Sequence, residues 1–465
     1  MSKDVLTPQA TDFPKWYQEV IAKAEMAENG PARGTMIIRP WGYGIWELVQ
    51  SSMDALIKAT GHVNAYFPLF IPNSFLQKEG KHVEGFAPEL AVVTHGGGEK
   101  LAEALVVRPT SETVIGDAMS RWIQSYRDLP MLLNQWANVV RWELRPRLFL
   151  RTTEFLWQEG HTAHATWDEA QEETLRILNE VYFPVLDGVL GVPVLRGRKT
   201  EAERFAGAAV TYTLEGLMRD GKALQMGTSH NMGENFAKAF EIMYLDRDGE
   251  RRFAHTTSWG VSTRVIGAVV MAHGDDKGLR LPPAIAPVQA VVLAVKGEAI
   301  DACRRLVDEL VSRGVRAKLD DRTDQSFGRR AVDYELKGVP VRIEIGPRDL
   351  AEGKAVLVRR DVEGKQPVSL SELAGRVPTL LDEIATALRD QALERREQMT
   401  QDVAAIDAID GPGFYRIGWD AMGREVGEAM LRERAYTVRC LVTENGEVPS
   451  PEQDDGLIAY VAKAY

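Results

Sequence analysis

The stretch that decides the fold runs from residue 139 to residue 161 and reads VVRWELRPRLFLRTTEFLWQEGH. Its first five residues predict a short strand, in which Arg141 and Glu143 point to the same face. Its last residues are strand-like again, so we expect two strands joined by a loop. That loop carries three more arginines, namely Arg145, Arg147 and Arg151. The stretch therefore predicts a hairpin with several guanidinium groups around one face.

Arginines grouped in this way favour the binding of phosphate. A planar guanidinium group matches phosphate oxygens in pairs, and an aromatic ring such as Phe155 can stack on a nucleobase. The alternative is a surface hairpin with solvated charges, which the stretch alone leaves equally open. A further arginine, Arg264, follows SWGVST (258–263) and precedes the apolar segment VIGAVV (265–270). It is either a structural arginine or a clamp on a triphosphate from the other side.

Length and composition limit what the chain can be. Its 465 residues predict about three domains, and 45% hydrophobic with 26% charged residues is typical of a soluble globular protein. Two cysteines, Cys303 and Cys440, exclude a disulfide scaffold and a zinc site built of cysteines alone. The formal net charge of −11 gives no overall positive field, and DNA is not an expected partner. Because we find neither a signal peptide nor a membrane span, we expect a cytoplasmic protein with no membrane partner.

Three regions follow one another along the chain. The stretch LPPAIAPVQ (281–289) is the best boundary, because prolines terminate regular elements. After it, strand-like and helix-like segments alternate from residue 288 to residue 358, which is the pattern of a small α/β domain. A charged helical connector (380–402) then leads to a last unit (411–465). We therefore expect three domains, at residues 1–284, 285–385 and 386–465.

Several motifs resemble those of class II aminoacyl-tRNA synthetases. The hairpin and the segment around Arg264 are similar to two signature motifs of that class. Further matches narrow the resemblance to the prolyl-tRNA synthetase family; they are RPTSE (108–112), FLRT (149–152) with EFLWQEGH (154–161), GTSH (227–230) and KGVPVRIEIGPRD (337–349). The closing AKAY (462–465) resembles the end of the archaeal and eukaryotic-type form. The resemblance implies an α+β protein, in which a catalytic domain with an antiparallel sheet precedes an α/β anticodon-binding domain and a small α/β C-terminal domain.

The resemblance also implies a reaction, the ligation of L-proline to tRNA(Pro) through a prolyl-adenylate. ATP would be a substrate, and Mg²⁺ is expected with it. Arg141 matches the arginine that contacts the α-phosphate and the amino-acid carboxylate, so Arg141 and Arg264 are the expected catalytic residues, acting by charge stabilisation. The residues expected to bind ATP are Arg141, Glu143, Arg151, Thr152, Phe155, Gln225, Ser262 and Arg264. Among them, Phe155 and Arg264 would cover the two faces of adenine.

The same matching predicts a pocket for proline. Its expected residues are Thr110, Glu112, Arg141, Trp157, Glu159, Phe205 and His230. Glu112 suits the secondary ammonium group of proline, which has two N–H donors. An isolated histidine is more often a core residue, but the GTSH context favours a pocket contact for His230. Trp157 is equally well explained as a core residue of a strand.

The second region is expected to read the tRNA anticodon. Residues 288–387 contain 17 basic and 17 acidic side chains, so this region is neutral within an acidic chain. A neutral region can contact phosphate groups, but the charge balance by itself is weak evidence that it does. The residues with groups suited to base edges and stacking are Arg330, Lys337, Arg342 and Glu344. For Arg342 and Glu344, a salt pair on one strand face is the alternative.

Two departures from relatives concern zinc and editing. Archaeal and eukaryotic-type relatives commonly hold zinc in the C-terminal unit with four cysteines, whereas only Cys440 remains there in this chain. We therefore expect no zinc and assign no metal-binding residue. Roughly 100 residues separate Glu159 from Ser258, which leaves no room for the editing insertion of the common bacterial type.

Three further expectations concern the dimer, a glycine-rich loop and the C-terminus. The segment from residue 46 to residue 72 matches the dimer-forming motif of the class, so we expect a homodimer. The loop Lys81–Lys100 contains Gly96, Gly97 and Gly98, which would serve as a hinge for closure over substrate. The C-terminal carboxylate of Tyr465 is expected near the active site, although a tail that simply packs on the core explains it equally.

Two alternatives remain open. One is another class II enzyme, such as the threonyl or glycyl synthetase, although the catalytic region has no cysteine for the zinc site of the threonyl enzyme. The other is a non-catalytic tRNA-binding or regulatory paralogue. Such paralogues typically lose the motif arginines, whereas Arg141, Arg151 and Arg264 are all present.

Overall fold

The computed structural model describes residues 6–77 and 90–465. The helices of this part are α1 (Phe13–Lys23), α2 (Pro40–Ala59), α3 (Asn73–Gln77), α4 (Glu112–Trp122), α5 (Trp167–Arg176), α6 (Asn235–Phe240), α7 (Arg264–His273), α8 (Ile300–Ser312), α9 (Phe327–Leu336), α10 (Pro347–Ala351), α11 (Leu373–Gln398) and α12 (Arg424–Glu433). The strands are β1 (Ala27–Asn29), β2 (Met36–Ile38), β3 (Val63–Asn64), β4 (Phe70–Pro72), β5 (Ala91–Gly96), β6 (Glu99–Val107), β7 (Met131–Val140), β8 (Glu154–His164), β9 (Val194–Arg198), β10 (Val210–Leu217), β11 (Ala223–Gly233), β12 (Met243–Leu245), β13 (Arg251–Phe253), β14 (His255–Ser262), β15 (Ala290–Ala294), β16 (Ala317–Asp320), β17 (Val341–Ile345), β18 (Lys354–Arg359), β19 (Gln366–Ser369), β20 (Thr400–Asp402), β21 (Phe414–Gly418), β22 (Thr437–Thr443) and β23 (Leu457–Ala462).

An eleven-stranded sheet forms the centre of the molecule, in the order β20-β21-β23-β22-β9-β10-β11-β14-β8-β7-β3. The strands from β9 to β7 all pair antiparallel. The core packed against them includes Trp16 of α1, Ile45 of α2, Trp259 of β14 and Val269 of α7. Burial of these large apolar side chains is the main force that holds the helices on the sheet. The expected antiparallel catalytic sheet with flanking helices is thereby confirmed.

The decisive stretch forms the hairpin β7–β8, but one detail of the prediction is wrong. Strand β7 ends at Val140, so Arg141 and Glu143 lie beyond the strand and not on its face. One more bond joins the two arms, from the Arg141 N–H to the carbonyl of Thr153 at 2.8 Å, and the chain then turns; on the other side of the strand, the Val140 N–H donates to the carbonyl of Arg108, 3.0 Å away. The loop that follows is held by the bonds between the backbones of Arg147 and Arg151.

A second sheet of five strands has the order β16-β15-β17-β18-β19. Strand β15 runs parallel to both of its neighbours, whereas β18 and β19 add antiparallel pairs. Helices α8 and α9 connect the parallel strands, as the alternating pattern predicts, because parallel neighbours need a crossover connection. Residues of β15, β17, α8 and α11 share one core.

The C-terminal unit continues the central sheet. Its strand β22 meets β9 through the pair of Leu441 and Arg198. A glycine makes this approach possible, because a Cβ atom on Gly197 would lie 2.6 Å from the carbonyl oxygen of Leu441. Cys440 packs against the same glycine, and burial raises the pKa of its thiol to about 12. None of the described helices is both long and apolar enough to cross a membrane.

Candidate active site

Two adjoining cavities lie over β8, β11 and β14. The larger has a volume of about 200 Å³ and the smaller a volume of about 160 Å³. Arg141, Phe155, Ser262 and Arg264 line both, so the cavities meet at these four residues. The remaining residues expected to bind proline or ATP all line one cavity or the other: Thr110, Glu112, Trp157, Glu159, Phe205, Gln225 and His230 the larger, and Glu143, Arg151 and Thr152 the smaller.

Strand β8 supplies one wall of the larger cavity through its alternation. Phe155, Trp157, Glu159 and His161 occupy every second position and line the cavity together. His161 is therefore a site residue that the sequence prediction missed, although the spacing from Glu159 already indicated it. On the other face of β8, Gly160 leaves room for a neighbour, since a Cβ atom there would lie 2.0 Å from the ring of Trp259.

A hydrogen-bond network fixes the carboxylate of Glu159. Its Oε1 accepts bonds from Ser111 Oγ at 2.5 Å and from Gln135 Nε2 at 2.7 Å. Its Oε2 lies 3.0 Å from His161 Nε2. Burial alone would lower the pKa of His161, but the bond to Glu159 and the negative charges of Glu159 and Glu112 raise that pKa above its ordinary value. This end of the cavity is thus pre-organised and polar.

Glu112 presents a second carboxylate to the larger cavity. It is the first residue of α4, where the positive end of the helix dipole favours a negative charge. Thr110 Oγ1 donates a hydrogen bond to Glu112 Oε2 and keeps the side chain in place. The side chain is buried but lines the cavity. The arrangement suits a cationic amine with two N–H donors.

His230 and its neighbours form the opposite wall. The ring of Phe205 stacks on that of His230 with centroids 4.5 Å apart, and Thr211 Oγ1 lies 2.9 Å from His230 Nδ1. Burial lowers the pKa of His230 to about 3, so the imidazole is neutral at physiological pH. His230 is buried, yet it lines the cavity as predicted. Trp157 also faces the cavity, and its indole N–H has no hydrogen-bond partner among the described residues.

Arg141 stands at the junction of the two cavities. Its Nε donates to the carbonyl of Pro109 at 3.0 Å. The guanidinium carbon lies 5.7 Å from the ring centroid of Phe155 and 5.4 Å from that of Trp157. Such cation–π contacts hold a guanidinium group in one orientation.

Arg264 approaches from the other side as the first residue of α7. Its Nε donates to the carbonyl of Leu150 at 3.2 Å, and its Nη1 to the carbonyl of Gln225 at 3.5 Å. Burial, followed by the charges of Arg151 and Arg141, lowers the pKa of Arg264 to about 10. Among the residues that the structure describes, Glu143 supplies the only carboxylate that lines the smaller cavity, and its Oε2 lies 3.5 Å from Arg151 Nη1. The excess of positive charge suits a polyanion such as a triphosphate.

The four residues expected to read the anticodon do not form one group. Arg330 is 1% exposed and donates hydrogen bonds to Asp320 Oδ1 and to the carbonyl of Ala294. Its guanidinium group therefore links two strands inside the five-stranded sheet. Lys337 forms a salt bridge with Glu25 of the catalytic region at 2.7 Å. Both cationic groups are thus paired with carboxylates, and both side chains are largely withdrawn from the solvent.

Arg342 and Glu344 form the salt pair that the alternative reading describes, with Nε and Oε1 3.0 Å apart. Arg342 nevertheless lines a cavity of about 590 Å³ between the catalytic region and the five-stranded sheet. Tyr334, Glu335 and Lys365 line the same cavity, which sequence reasoning missed because its walls come from both regions.

The glycines expected to act as a hinge have another role. Gly97 and Gly98 form the turn of the hairpin β5–β6, with φ of +62° and +88°, values that glycine adopts without strain. This geometry accounts for the two glycines as turn residues, and the closure of the loop over substrate stays a prediction. Residues 81–89 of the loop lie outside the described residues.

Comparison with known proteins adds an independent line of argument. Residues 97–273 match the family described as the tRNA synthetase class II core domain (G, H, P, S and T), and residues 289–380 match the anticodon binding domain family. The chain is 60% identical to a protein named proline–tRNA ligase 2 from Streptomyces avermitilis, with 99% of each chain covered. It is 58% identical to a proline–tRNA ligase from Frankia alni, covering 99% of this chain and 100% of that one. A proline–tRNA ligase from Chlorobium phaeobacteroides is 52% identical, covering 95% of this chain and 93% of that one.

Proposed function

This chain belongs to the proline–tRNA ligase family, and from that premise we propose that it joins L-proline to tRNA(Pro) in two steps. In the first step, the carboxylate of proline attacks the α-phosphorus of ATP, which gives prolyl-adenylate and releases pyrophosphate. In the second, the 3′-terminal hydroxyl of the tRNA takes the prolyl group and AMP leaves. The observation that carries the proposal is the junction of the two cavities at Arg141, where an amino acid and a nucleotide would meet.

The larger cavity is the proposed proline pocket. Glu112 would receive the N–H donors of the secondary ammonium group, while Trp157, Phe205 and His230 would enclose the compact ring. The neutral state of His230 supports this role, because a cationic imidazolium would repel the ammonium group. Glu159 would act mainly by holding the pocket, since both of its oxygens already have partners.

The smaller cavity is the proposed site of the triphosphate. Arg141, Arg151 and Arg264 would contact phosphate oxygens, with Phe155 stacked on adenine and with Gln225, Thr152 and Ser262 as further contacts. Mg²⁺ fits here, since it favours one or two carboxylates together with phosphate and water oxygens, and Glu143 would supply a carboxylate. No three His, Cys, Asp or Glu side chains group together as a metal site within residues 6–77 and 90–465.

Catalysis would rest on position and charge. The reacting carboxylate is already ionised at neutral pH, so the first step needs no base to remove a proton. Arg141 would lie between the two reactants and stabilise the charge that develops on the phosphate oxygens. Its orientation is set in advance by Pro109 and by the two aromatic rings, which lowers the entropic cost of reaching the transition state.

Proline-dependent exchange between ATP and pyrophosphate tests the proposal. We expect exchange with proline, and we expect Arg141→Ala to lower it by about three orders of magnitude or more, as removal of a main charge-stabilising group does. Affinity for tRNA should remain close to that of the wild type. Arg121→Ala is the matched control, because Arg121 is exposed and pairs with Asp117 away from both cavities.

The results distinguish the alternatives. Exchange that depends on threonine or glycine instead of proline would identify another class II enzyme. Absence of exchange with every amino acid, together with tRNA binding, would support the non-catalytic paralogue and overturn the proposal.

We further propose that anticodon bases enter the cavity of about 590 Å³ that Arg342 lines. Its walls offer donors from Arg342 and Lys365, an acceptor from Glu335 and the ring of Tyr334, the kinds of group that read and stack unpaired bases. The volume is large enough for a nucleobase. Arg330 and Lys337 would then support the domain and its contact with the catalytic region.

The remaining expectations belong to the same proposal. The three domains would be residues 1–284, 285–385 and 386–465, and the chain would be an archaeal and eukaryotic-type enzyme that works in the cytoplasm as a homodimer. The C-terminal unit would need no zinc. The cysteine count supports this, because Cys440 is the only cysteine in the sequence of this unit and a structural zinc site takes about four ligands.

A further inference from the structure

A buried cluster of charged side chains joins the C-terminal unit to the catalytic strands. Glu215 of β10 is fully buried, and its Oε2 accepts bonds from Arg439 Nε at 3.0 Å and from Arg439 Nη2 at 2.9 Å. Its Oε1 accepts bonds from Lys199 Nζ and Thr213 Oγ1, both at 2.8 Å. Arg439 belongs to β22, so its guanidinium group crosses from one unit to the other. Burying charges is costly, so a buried ion pair is by itself weak evidence of stabilisation.

Irregular pairing on both sides brings these side chains together. On β22, the register with β23 shifts between Val438 and Cys440, which leaves Arg439 as the bulged residue. Between β10 and β11 the register shifts at Leu214 and Glu215, because Met226 of β11 is an extra, unpaired residue. Bulges redirect side chains and are frequent beside active sites. The ion pair therefore forms where two strands depart from regular geometry.

The cluster is linked to the nucleotide half of the site. Glu215 lies directly opposite Gln225 on β11, so the two side chains share a face of the sheet. Gln225 lines the larger cavity, and its carbonyl accepts the bond from Arg264. Burial and the positive charges of Arg151, Arg141 and Arg439 lower the pKa of Arg264. The negative charge of Glu215 raises it. Arg264 thus responds to the charges of the cluster.

We propose that Arg439 is a positioning residue for amino-acid activation and acts through Glu215; this inference rests on the proposed function. The two hydrogen bonds from the guanidinium group of Arg439 hold Glu215 where the pairing of β10 with β11 is irregular. That carboxylate lies opposite Gln225 where the pairing of β10 with β11 is irregular, so it holds the position of Gln225, whose carbonyl accepts the bond from Arg264; both residues would meet the nucleotide. The C-terminal unit thereby completes the ATP half of the site. The proline pocket takes Thr110 and Glu112 from outside these strands, and His230 of β11 lies further along, where it pairs with Thr211 in regular register.

Three variants of the full chain test this inference. In Arg439→Gln, one amide donor replaces the charged pair of donors, while Lys199 and Thr213 still bond to Glu215 and allow folding. Arg439→Lys keeps the positive charge and one donor. Arg434→Gln is the matched control, because Arg434 bonds to the carbonyls of Ile406 and Ile409 within the C-terminal unit.

The measurements are the affinity for ATP by calorimetry, the KM values in the exchange reaction and the melting temperature. We expect Arg439→Gln to weaken ATP binding and raise the KM for ATP by about tenfold, with the KM for proline within about twofold of the wild type. Arg439→Lys should recover most of the loss, and Arg434→Gln should match the wild type in both constants.

Two results would overturn the inference. One is an unchanged affinity for ATP in a folded Arg439→Gln protein. The other is a parallel loss of ATP affinity, proline saturation and melting temperature, which would show a purely structural role. A wild-type protein that binds ATP but shows no proline-dependent exchange would refute the proposed function, and the calorimetric comparison would still decide the part played by Arg439.

Discussion

The buried carboxylate of Asp320 binds two arginines at the parallel edge of the five-stranded sheet. Its side chain is 0% exposed, and its oxygens accept bonds from Arg322 at 2.6 Å and from Arg330 at 3.1 Å. Burial raises the pKa of this carboxyl group, but the bonds from Arg322 and Arg330 outweigh it and lower the pKa to about 2. At the scale of one residue, the ion pair of Asp320 and Arg330 explains why the guanidinium group of Arg330 is not available to contact a nucleic acid.

The lowered pKa of Asp320 predicts how stability depends on pH. A depressed carboxyl pKa stabilises the folded state above the unfolded value near 3.8, and this stability is lost as the pH falls from there through about 2. We expect Asp320→Asn to lower the free energy of unfolding at pH 7 by about 2 kcal/mol, since Arg330 is left with a buried, unpaired charge. The difference from wild type should shrink toward pH 2.

Urea denaturation at pH 7 and at pH 2.5 measures this effect. Asp324→Asn is the control, because Asp324 is exposed on the neighbouring turn. An Asp320→Asn protein as stable as the wild type at pH 7 would show that the pair contributes nothing.

At the scale of elements, the C-terminal tail supports the arginine loop between β7 and β8. The Tyr465 N–H donates to the carbonyl of Ala223 at 3.1 Å, which extends the pairing beyond the first residue of β11. Its hydroxyl donates to Asp220 Oδ2 at 2.7 Å, and the guanidinium carbon of Arg147 lies 6.0 Å from its ring centroid. The tail is therefore bound at the base of the loop that ends with Arg151.

Removal of Ala464 and Tyr465 should slow adenylate formation more than it lowers stability. Because Arg147 loses the ring beneath it, the loop that carries Arg151 would lose a support, and we expect exchange to fall by about tenfold or more. The core residues of the sheet are unchanged, so the melting temperature should fall by only a few degrees.

Exchange rates and melting temperatures of the truncated and wild-type proteins check this prediction. Tyr465→Phe, which removes only the hydroxyl bond to Asp220, is the control and should retain most of the activity. If the truncated protein loses fold and activity in proportion, the tail is only part of the core.

At the scale of the whole molecule, one edge of the central sheet is unusually apolar. Strand β3 is the edge strand, and its Val63 is 59% exposed. Nearby along the chain, Tyr66 is 71% and Phe70 49% exposed. An unpaired edge bordered by exposed apolar side chains is a typical site of association. This edge supports the proposed homodimer.

Tyr66→Asp should therefore weaken the dimer. A buried, unpaired charge at an interface costs several kcal/mol, so we expect the variant to elute as a monomer at micromolar concentration while the wild type elutes as a dimer. Size-exclusion chromatography with light scattering measures the mass. Val426→Asp is the matched control, because Val426 is also 71% exposed but lies on α12 of the C-terminal unit. A monomeric wild type would refute the proposal of a dimer.

The residues of the active site could be predicted from the sequence because most of them lie in short motifs of adjacent residues. The alternation along β8 places Trp157 and Glu159 on one face by geometry alone, and the same rule, applied two residues further, would have found His161. The end of β7 at Val140 escaped prediction, since the residues after it, Arg141 to Glu143, continue a strand-like pattern in the sequence. The anticodon residues were harder, because the burial of Arg330 and the pairing of Lys337 depend on Ala294 and Glu25, which are distant in sequence.

The sequence by itself therefore determined the family, the antiparallel catalytic sheet and the chemical groups of the two cavities. These follow from strand periodicity and from motifs whose few residues are adjacent along the chain. Only the tertiary structure decided that Arg439 bonds to Glu215 across 224 residues, and that Lys337 pairs with Glu25 of the catalytic region. Such pairs form only when strand register and packing bring distant segments within hydrogen-bonding distance, and no local pattern specifies that approach.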